Sequence, residues 1–188
     1  MYISGGRFQR RRLCSLEKAH ATRPTSGRAR AAWINILLHR FSATGFSIEG
    51  TSVLDLFAGT GALGLELLSR GARHVTFIEK NVAALQVLRR NIASLGVQDS
   101  TAVLAGNVYD TLHNSHPVPL IVMDPPYQLA PDIPPLMALL AEKGWCYPGT
   151  ILAAETDASQ ALTCPEDFDF LLERSYGKPK ISFFMYNP

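Results

Sequence analysis

Hydrophobic and polar positions alternate along the chain in blocks of two kinds, short apolar runs of strand length and longer stretches with helical spacing. Leu120-Ile121-Val122-Met123 is apolar without interruption, which fits a strand buried on both faces of a parallel sheet. Val53-Leu54 opens another short strand, followed by a glycine turn and a helical run ending at Arg70 with Gly71 as its C-cap. His74 to Ile78 predicts the next strand, ending on Glu79. Asn81 then caps a helix whose Val82, Leu85, Leu88, Ile92 and Leu95 form one stripe, closed by Gly96. Thr101 to Ala105 predicts a third strand, and Gly106-Asn107-Val108 lies at its exit.

The same alternation extends to both ends. Upstream, a helix from Pro24 to about Arg40 carries Ala29, Trp33, Ile36, Leu37 and Phe41 on its apolar face and Arg28, Arg30 and Asn35 on the other. Downstream, Pro131, Pro134 and Pro135 open a helix through Leu139 and Leu140, and Thr150 to Glu155 predicts a strand. Phe168 to Glu173 and Ile181 to Tyr186 predict an antiparallel hairpin joined through Tyr176 to Lys180. Strands alternating with helices make this an α/β chain.

The strand ends carry the candidate chemistry. Asp124-Pro125-Pro126-Tyr127 brings a carboxylate, imide carbonyls and an aromatic face to one strand end. Neither proline donates an N–H, so the turn is rich in acceptors and suits an exocyclic amine on a flat ring, with Tyr127 to stack on that ring. A plain turn after a strand has the same composition. Upstream, Gly59 to Gly64 matches G-x-G-x-x-G, and Glu79 stands twenty positions after Gly59, so a dinucleotide site is a rival reading. Two features weigh against it. Asp55 before the glycines would repel a pyrophosphate yet pair with the ammonium of an amino-acid-like ligand such as S-adenosylmethionine, and hydride transfer has no use for carbonyls aimed at an amine. Glu79 is then placed for ribose hydroxyls, and Asn107 and Val108 for an adenine; Asn107 could equally cap a helix through Tyr109 and Leu112.

Composition narrows the class. The 188 residues, 47% of them hydrophobic, suffice for one compact core, and no apolar run is long enough to span a bilayer. The arginine-rich N-terminus has no apolar signal region, so a cytoplasmic protein is expected. Cys14, Cys146 and Cys164 have neither disulfide nor zinc spacing, so no metal is expected, and no histidine has ligand spacing. The net charge of +2 hides an asymmetry: residues 1–40 hold nine Lys/Arg and one acid, for +8, and residues 41–188 hold nine Lys/Arg and fifteen acids, for −6. A basic segment on an acidic body fits a polyanionic partner, with Arg7, Arg10, Arg11, Arg12, Arg23, Arg28 and Arg30 as RNA-binding candidates. A solvated tail or a targeting peptide has the same charge pattern. Gly5-Gly6 followed by Arg7-Phe8-Gln9-Arg10 predicts a small β-hairpin.

These motifs together resemble the RsmD-type small-subunit (16S) rRNA guanine-N2 methyltransferases over nearly the whole length. The residues that carry the resemblance are Ile3 to Leu13, Arg23-Pro24-Thr25 with Arg28 and Arg30, Asp55 to Gly64, and Asp124-Pro125-Pro126-Tyr127. Asn107 departs from the acid common at that position, and residues 159–167 fall outside the resemblance. The resemblance implies a class I, Rossmann-like fold with a mostly parallel seven-stranded sheet and an antiparallel C-terminal strand. A basic N-terminal hairpin over 1–22 would precede a methyltransferase domain over 23–188. It also implies S-adenosyl-L-methionine as cofactor and 16S rRNA, free or in an assembling small subunit, as partner of a monomeric enzyme. Asp124, Pro125, Pro126 and Tyr127 would be catalytic; Asp55, Phe57, Gly59, Gly61, Glu79, Asn107 and Val108 would bind the cofactor. A DNA amino-methyltransferase and a non-catalytic RNA-binding factor are the alternatives.

Overall fold

A computed structural model describes residues 1–16, 27–39, 46–111 and 116–188. The expected helix start at Pro24 and the positions Arg23, Arg40, Phe41 and Leu112 lie outside the described residues. The elements in chain order are α1 (Gly27–His39), β1 (Ser52–Leu56), α2 (Ala62–Ser69), β2 (His74–Glu79), α3 (Val82–Leu95) and β3 (Thr101–Ala105). They continue with α4 (Val108–Thr111), β4 (Leu120–Met123), α5 (Ile133–Glu142), β5 (Ile151–Asp157), β6 (Phe168–Ser175) and β7 (Pro179–Tyr186).

The seven strands form one sheet in the order β3-β2-β1-β4-β5-β7-β6. All pairings from β3 to β5 are parallel, and β7 runs antiparallel between β5 and β6. Successive strand residues point to opposite faces, so each inner strand feeds two cores. Val53, Phe77, Val122, Ala153 and Phe183 join a core with Trp33 of α1, Leu65 of α2 and Leu88 of α3. Leu54, Ile78, Met123, Leu152 and Phe184 join a second core with Leu136, Met137 and Leu140 of α5. This double coverage explains why the four residues of β4 are apolar without alternation, all of them buried. Strand order reverses between β1 and β4, and it is beyond the carboxyl ends of such strands that open α/β sheets bind ligands.

The caps follow the sequence. The Asn81 side chain accepts from Ala84 N–H at the start of α3, and Gly96 ends that helix in the left-handed conformation. α2 ends at Ser69, one residue short of the expected Arg70, which is its C-cap.

The N-terminal segment differs from its sequence reading in detail. Tyr2 and Arg12 form one antiparallel bridge, but Gly5 to Arg10 is turn, so Arg7-Phe8-Gln9-Arg10 supplies no strand. The reason lies in α2. Glu66, fully buried, accepts from Ser4 N–H (2.8 Å), the Ser4 hydroxyl (2.6 Å) and Gly5 N–H (3.1 Å), and Arg7 N–H donates to the Ser69 carbonyl (2.7 Å). A Cβ on Gly6, at φ +78°, would stand 1.9 Å from that carbonyl, so the glycine pair lets the chain lie against the helix end. Ile3 and Leu13 are buried in the first core.

Candidate functional site

A cleft of about 770 Å³ opens beyond the carboxyl ends of the central strands. Four acidic residues mark those ends: Asp55 in β1, Glu79 closing β2, Asp124 after β4 and Glu155 in β5. Phe57, Gly59, Glu79, Asn107, Val108, Asp124, Pro125, Pro126 and Tyr127, nine of the residues expected from sequence, line this one cleft.

The glycine turn forms one wall. Glu79 Oε2 accepts from Gly59 N–H and Oε1 from Asn81 N–H, both at 2.7 Å, so β2 and the turn are tied through one carboxylate. Phe57 sits at φ 58°, a conformation that costs a bulky residue about 1–3 kcal/mol and is held by its surroundings. Asp55 and Gly61 do not line the cleft. The Asp55 carboxylate is buried beneath the turn and accepts from Gly64 N–H at 2.9 Å. A Cβ on Gly64 would come within 2.5 Å of the Phe77 ring and 2.8 Å of that carboxylate, so only glycine fits. Burial raises the Asp55 pKa to about 7, against the Gly64 hydrogen bond and with help from the Glu79 charge. Asn107 occupies the residue before α4, with its Oδ1 3.5 Å from Tyr109 N, and it also lines the cleft.

The opposite wall is the acceptor turn. Pro126 is followed by a 3₁₀ turn from Tyr127 to Asp132, and the Pro126 carbonyl accepts from Leu129 N–H at 2.8 Å, so that carbonyl is spent within the turn. The Asp124 pKa is raised well above the ordinary carboxylate range, first by burial, then by the charges of Glu155 and Asp55. Tyr127 directs its hydroxyl to Glu155 Oε1 (3.4 Å), and Lys178 Nζ stands 5.8 Å from the centre of its ring.

Sequence reasoning misses three residues here. Glu155 reads only as the end of a strand, although its acid after an apolar run repeats the signal of Glu79 and Asp124. Gln160, in the stretch outside the resemblance, donates from Nε2 to the Tyr127 carbonyl (2.9 Å) and accepts at Oε1 from Asp157 N–H (3.2 Å), bracing the acceptor turn from β5. Lys178 lines the cleft from the β6–β7 connection and pairs with Asp157 at 3.5 Å. Neither Gln160 nor Lys178 leaves a signal in a single sequence.

Of the basic residues, Arg7, Arg10, Arg11 and Arg12 are exposed on the N-terminal turn and the bridged segment that follows it. Arg30 is a correction. It is 3% exposed, lies 3.9 Å from the Glu66 carboxylate and donates to the Tyr2 carbonyl at 3.0 Å, so it is an internal strut and not part of a surface for nucleic acid. The buried carboxylate of Glu66 requires cations, and Arg70 at 3.3 Å and Arg30 of α1 supply them. Arg23 and the side chain of Arg28 lie outside the described residues. Among the described residues no helix is long and apolar enough to cross a membrane, and no cluster of three or more His, Cys, Asp or Glu could hold a metal.

Comparison with known proteins shows the family and the fold. Residues 1–185 match the family model described as Conserved hypothetical protein 95. The chain is 30% identical over 181 residues to "Ribosomal RNA small subunit methyltransferase D" of Haemophilus influenzae, covering 93% of this chain and 88% of the relative. The protein of that name from Escherichia coli is 29% identical over 177 residues, covering 94% and 85%. Among solved structures, "Putative methyltransferase yhhF from Escherichia coli" superposes with a TM-score of 0.83 at 26% identity, over 100% of this chain and 98% of that one. With the family model spanning nearly its whole length and its overall fold shared with that structure, the chain belongs to the Conserved hypothetical protein 95 family, that of the RsmD-type methyltransferases, and its seven-stranded sheet is that of a class I S-adenosylmethionine-dependent methyltransferase fold.

Proposed function

We propose that this protein methylates the exocyclic N2 amine of one guanine in small-subunit (16S) ribosomal RNA, with S-adenosyl-L-methionine as donor. The observation that carries the reading is the convergence of the Gly59–Glu79 wall and the Asp124–Tyr127 wall on one cleft. Family membership and the relatives' names support rRNA as the substrate.

The residues present fit the donor. Glu79 keeps lone pairs beyond those used by Gly59 and Asn81 and can accept from ribose hydroxyls, while Asn107 and Val108, in the lining of the same cleft, can contact the adenine. Asp55, beneath the turn, fixes Gly64 and adds negative potential on the side where an ammonium would lie. When bound, the sulfonium supplies a methyl carbon already activated by positive charge. The chain's residues then have a positioning task. The guanine must leave its stack to enter the cleft, and Tyr127 offers the face on which it rests. Asp124 and the Pro125 carbonyl accept the two N2 hydrogens, which helps localise the nitrogen lone pair and aim it at the methyl carbon. Asp124, already biased toward holding a proton, takes the one that the nitrogen loses.

Labelled donor offered with naked 16S rRNA, small subunits and duplex DNA, followed by nucleoside digestion, tests the proposal. N2-methylguanosine from RNA or particles is the expected product; label confined to adenine, cytosine or DNA would overturn it. The exposed arginines give a second check. Arg10, Arg11 and Arg12 changed together to Glu should weaken RNA binding at least tenfold. The same change should flatten the plot of log affinity against log salt by roughly 0.7 for each single-strand phosphate that the protein no longer neutralises. An unchanged slope would remove this turn from the RNA interface.

A further inference from the structure

Glu155 has no part in the chemistry just described, yet it stands in the same cleft. β4 and β5 are parallel with Met123 opposite Ala154, and the next step of that register sets Glu155 beside Asp124, on strands about 4.8 Å apart. Glu155 is 4% exposed, and a carboxylate so buried requires donors. Trp33 Nε1 donates to its Oε2 and the Tyr127 hydroxyl to its Oε1, each at 3.4 Å. Both donors are neutral N–H and O–H groups, and a carboxylate oxygen can accept more than one hydrogen bond. Among the described residues, Asp124 just after β4, Asp55 of β1 and Lys178 of the β6–β7 connection are other charged groups nearby. Lys180 of β7 is engaged with the Gln160 carbonyl and Glu173.

Once Asp124 has given up its proton, as it must before it can collect one from the amine, the two neighbouring carboxylates make an edge that only accepts. Guanine meets it with two donors side by side, N1–H and the N2 amine. Adenine and cytosine place an unprotonated ring nitrogen next to their amine, and that lone pair would face a carboxylate oxygen. Resting on the guanine-N2 reading, in which Asp124 holds the amine, we infer that Glu155 is the specificity-determining residue of this site, accepting N1–H of the extruded guanine and repelling bases with a ring acceptor there. Trp33 and Tyr127 are its positioning residues. Tyr127 thereby has two tasks, its ring toward the base and its hydroxyl toward the reader of that base.

2-Aminopurine tests this directly, because it keeps the amine at C2 but has a lone pair at N1. The guanine that the protein methylates is replaced by 2-aminopurine in ligated small-subunit RNA, and kcat/KM is compared with the guanine RNA for wild type and Glu155→Gln. Wild type should prefer guanine by about 100-fold, the worth of a hydrogen bond to a charged group. In E155Q the amide can donate to the ring nitrogen, so the preference should shrink at least tenfold; each ratio is taken within one protein, so a loss of folded fraction cancels. Fluorescence of the 2-aminopurine on extrusion, measured with the demethylated donor product, should likewise show tighter binding by E155Q than by wild type. Wild type that treats both RNAs alike, or an E155Q ratio equal to that of wild type, overturns the role of Glu155. Guanine RNA left unmethylated at N2 by wild type instead overturns the underlying reading, and this inference with it.

Discussion

Asp124→Ala is expected to lower the rate of methyl transfer by about 10³-fold or more while leaving affinity for S-adenosylmethionine within a few-fold of wild type. The first number combines the loss of a preorganised acceptor, about 10²–10³, with the loss of the group that collects the proton. The second follows from position, because Asp124 stands on the acceptor wall and the glycine turn with Glu79 forms the other. Single-turnover transfer of labelled methyl and calorimetric titration of the donor measure the two separately. A variant with near-normal turnover would remove Asp124 from the mechanism. The pH dependence has a sign as well. Burial, Glu155 and Asp55 all raise the Asp124 pKa, so the acid limb of the wild-type rate profile should lie above the ordinary carboxylate range. Glu155→Gln removes one of those charges and should move that limb to lower pH.

Asp55→Asn is expected to stabilise the ligand-free protein at pH 8 by up to about 4 kcal/mol and to flatten its stability between pH 4 and 7. The folded-state pKa of Asp55 is raised to about 7, against an unfolded value near 3.9. Between those values the folded protein keeps a proton that the unfolded chain releases, so the wild type loses stability as pH rises through this window and levels off above it. Three units at about 1.36 kcal/mol each give the figure. An amide at position 55 does not titrate and can still accept from Gly64 N–H. Urea unfolding at pH 5, 6, 7 and 8 measures the difference, and parallel curves for the two proteins would refute the assignment.

The sheet was legible because its signals are local. β3 and β4 have the bounds that their apolar runs indicate, and Asn81 and Gly96 bracket α3 as capping chemistry demands. The acceptor turn and the glycine turn could be read for the same reason, as each needs residue types that few other sites need together. What failed depends on contacts distant in sequence. Arg30 reads as a surface cation by its charge although, three residues before Trp33, it shares that residue's helical face, and the sequence does not reveal that Glu66, 36 positions away, is fully buried against it. Arg7 to Arg10 alternate like a strand, yet the end of α2 bends them into a turn. Gln160 acquires a task only because β5 returns beside the acceptor turn.

Glu66 gives the first residues of the chain a standing beyond their charge. Ser4, Gly5, Arg30 and Arg70 all converge on this one carboxylate, in a helix that begins immediately after the glycine turn. Asn91 makes a parallel tie, accepting from Cys14 N–H at 2.7 Å and donating to the Thr60 carbonyl at 2.9 Å. Shortening the protein at its front would therefore strip a sealed anion of its N–H and hydroxyl partners and slacken the glycine turn from behind. The basic turn is a structural keystone that happens to carry arginines, and it cannot be shed like an appended tail.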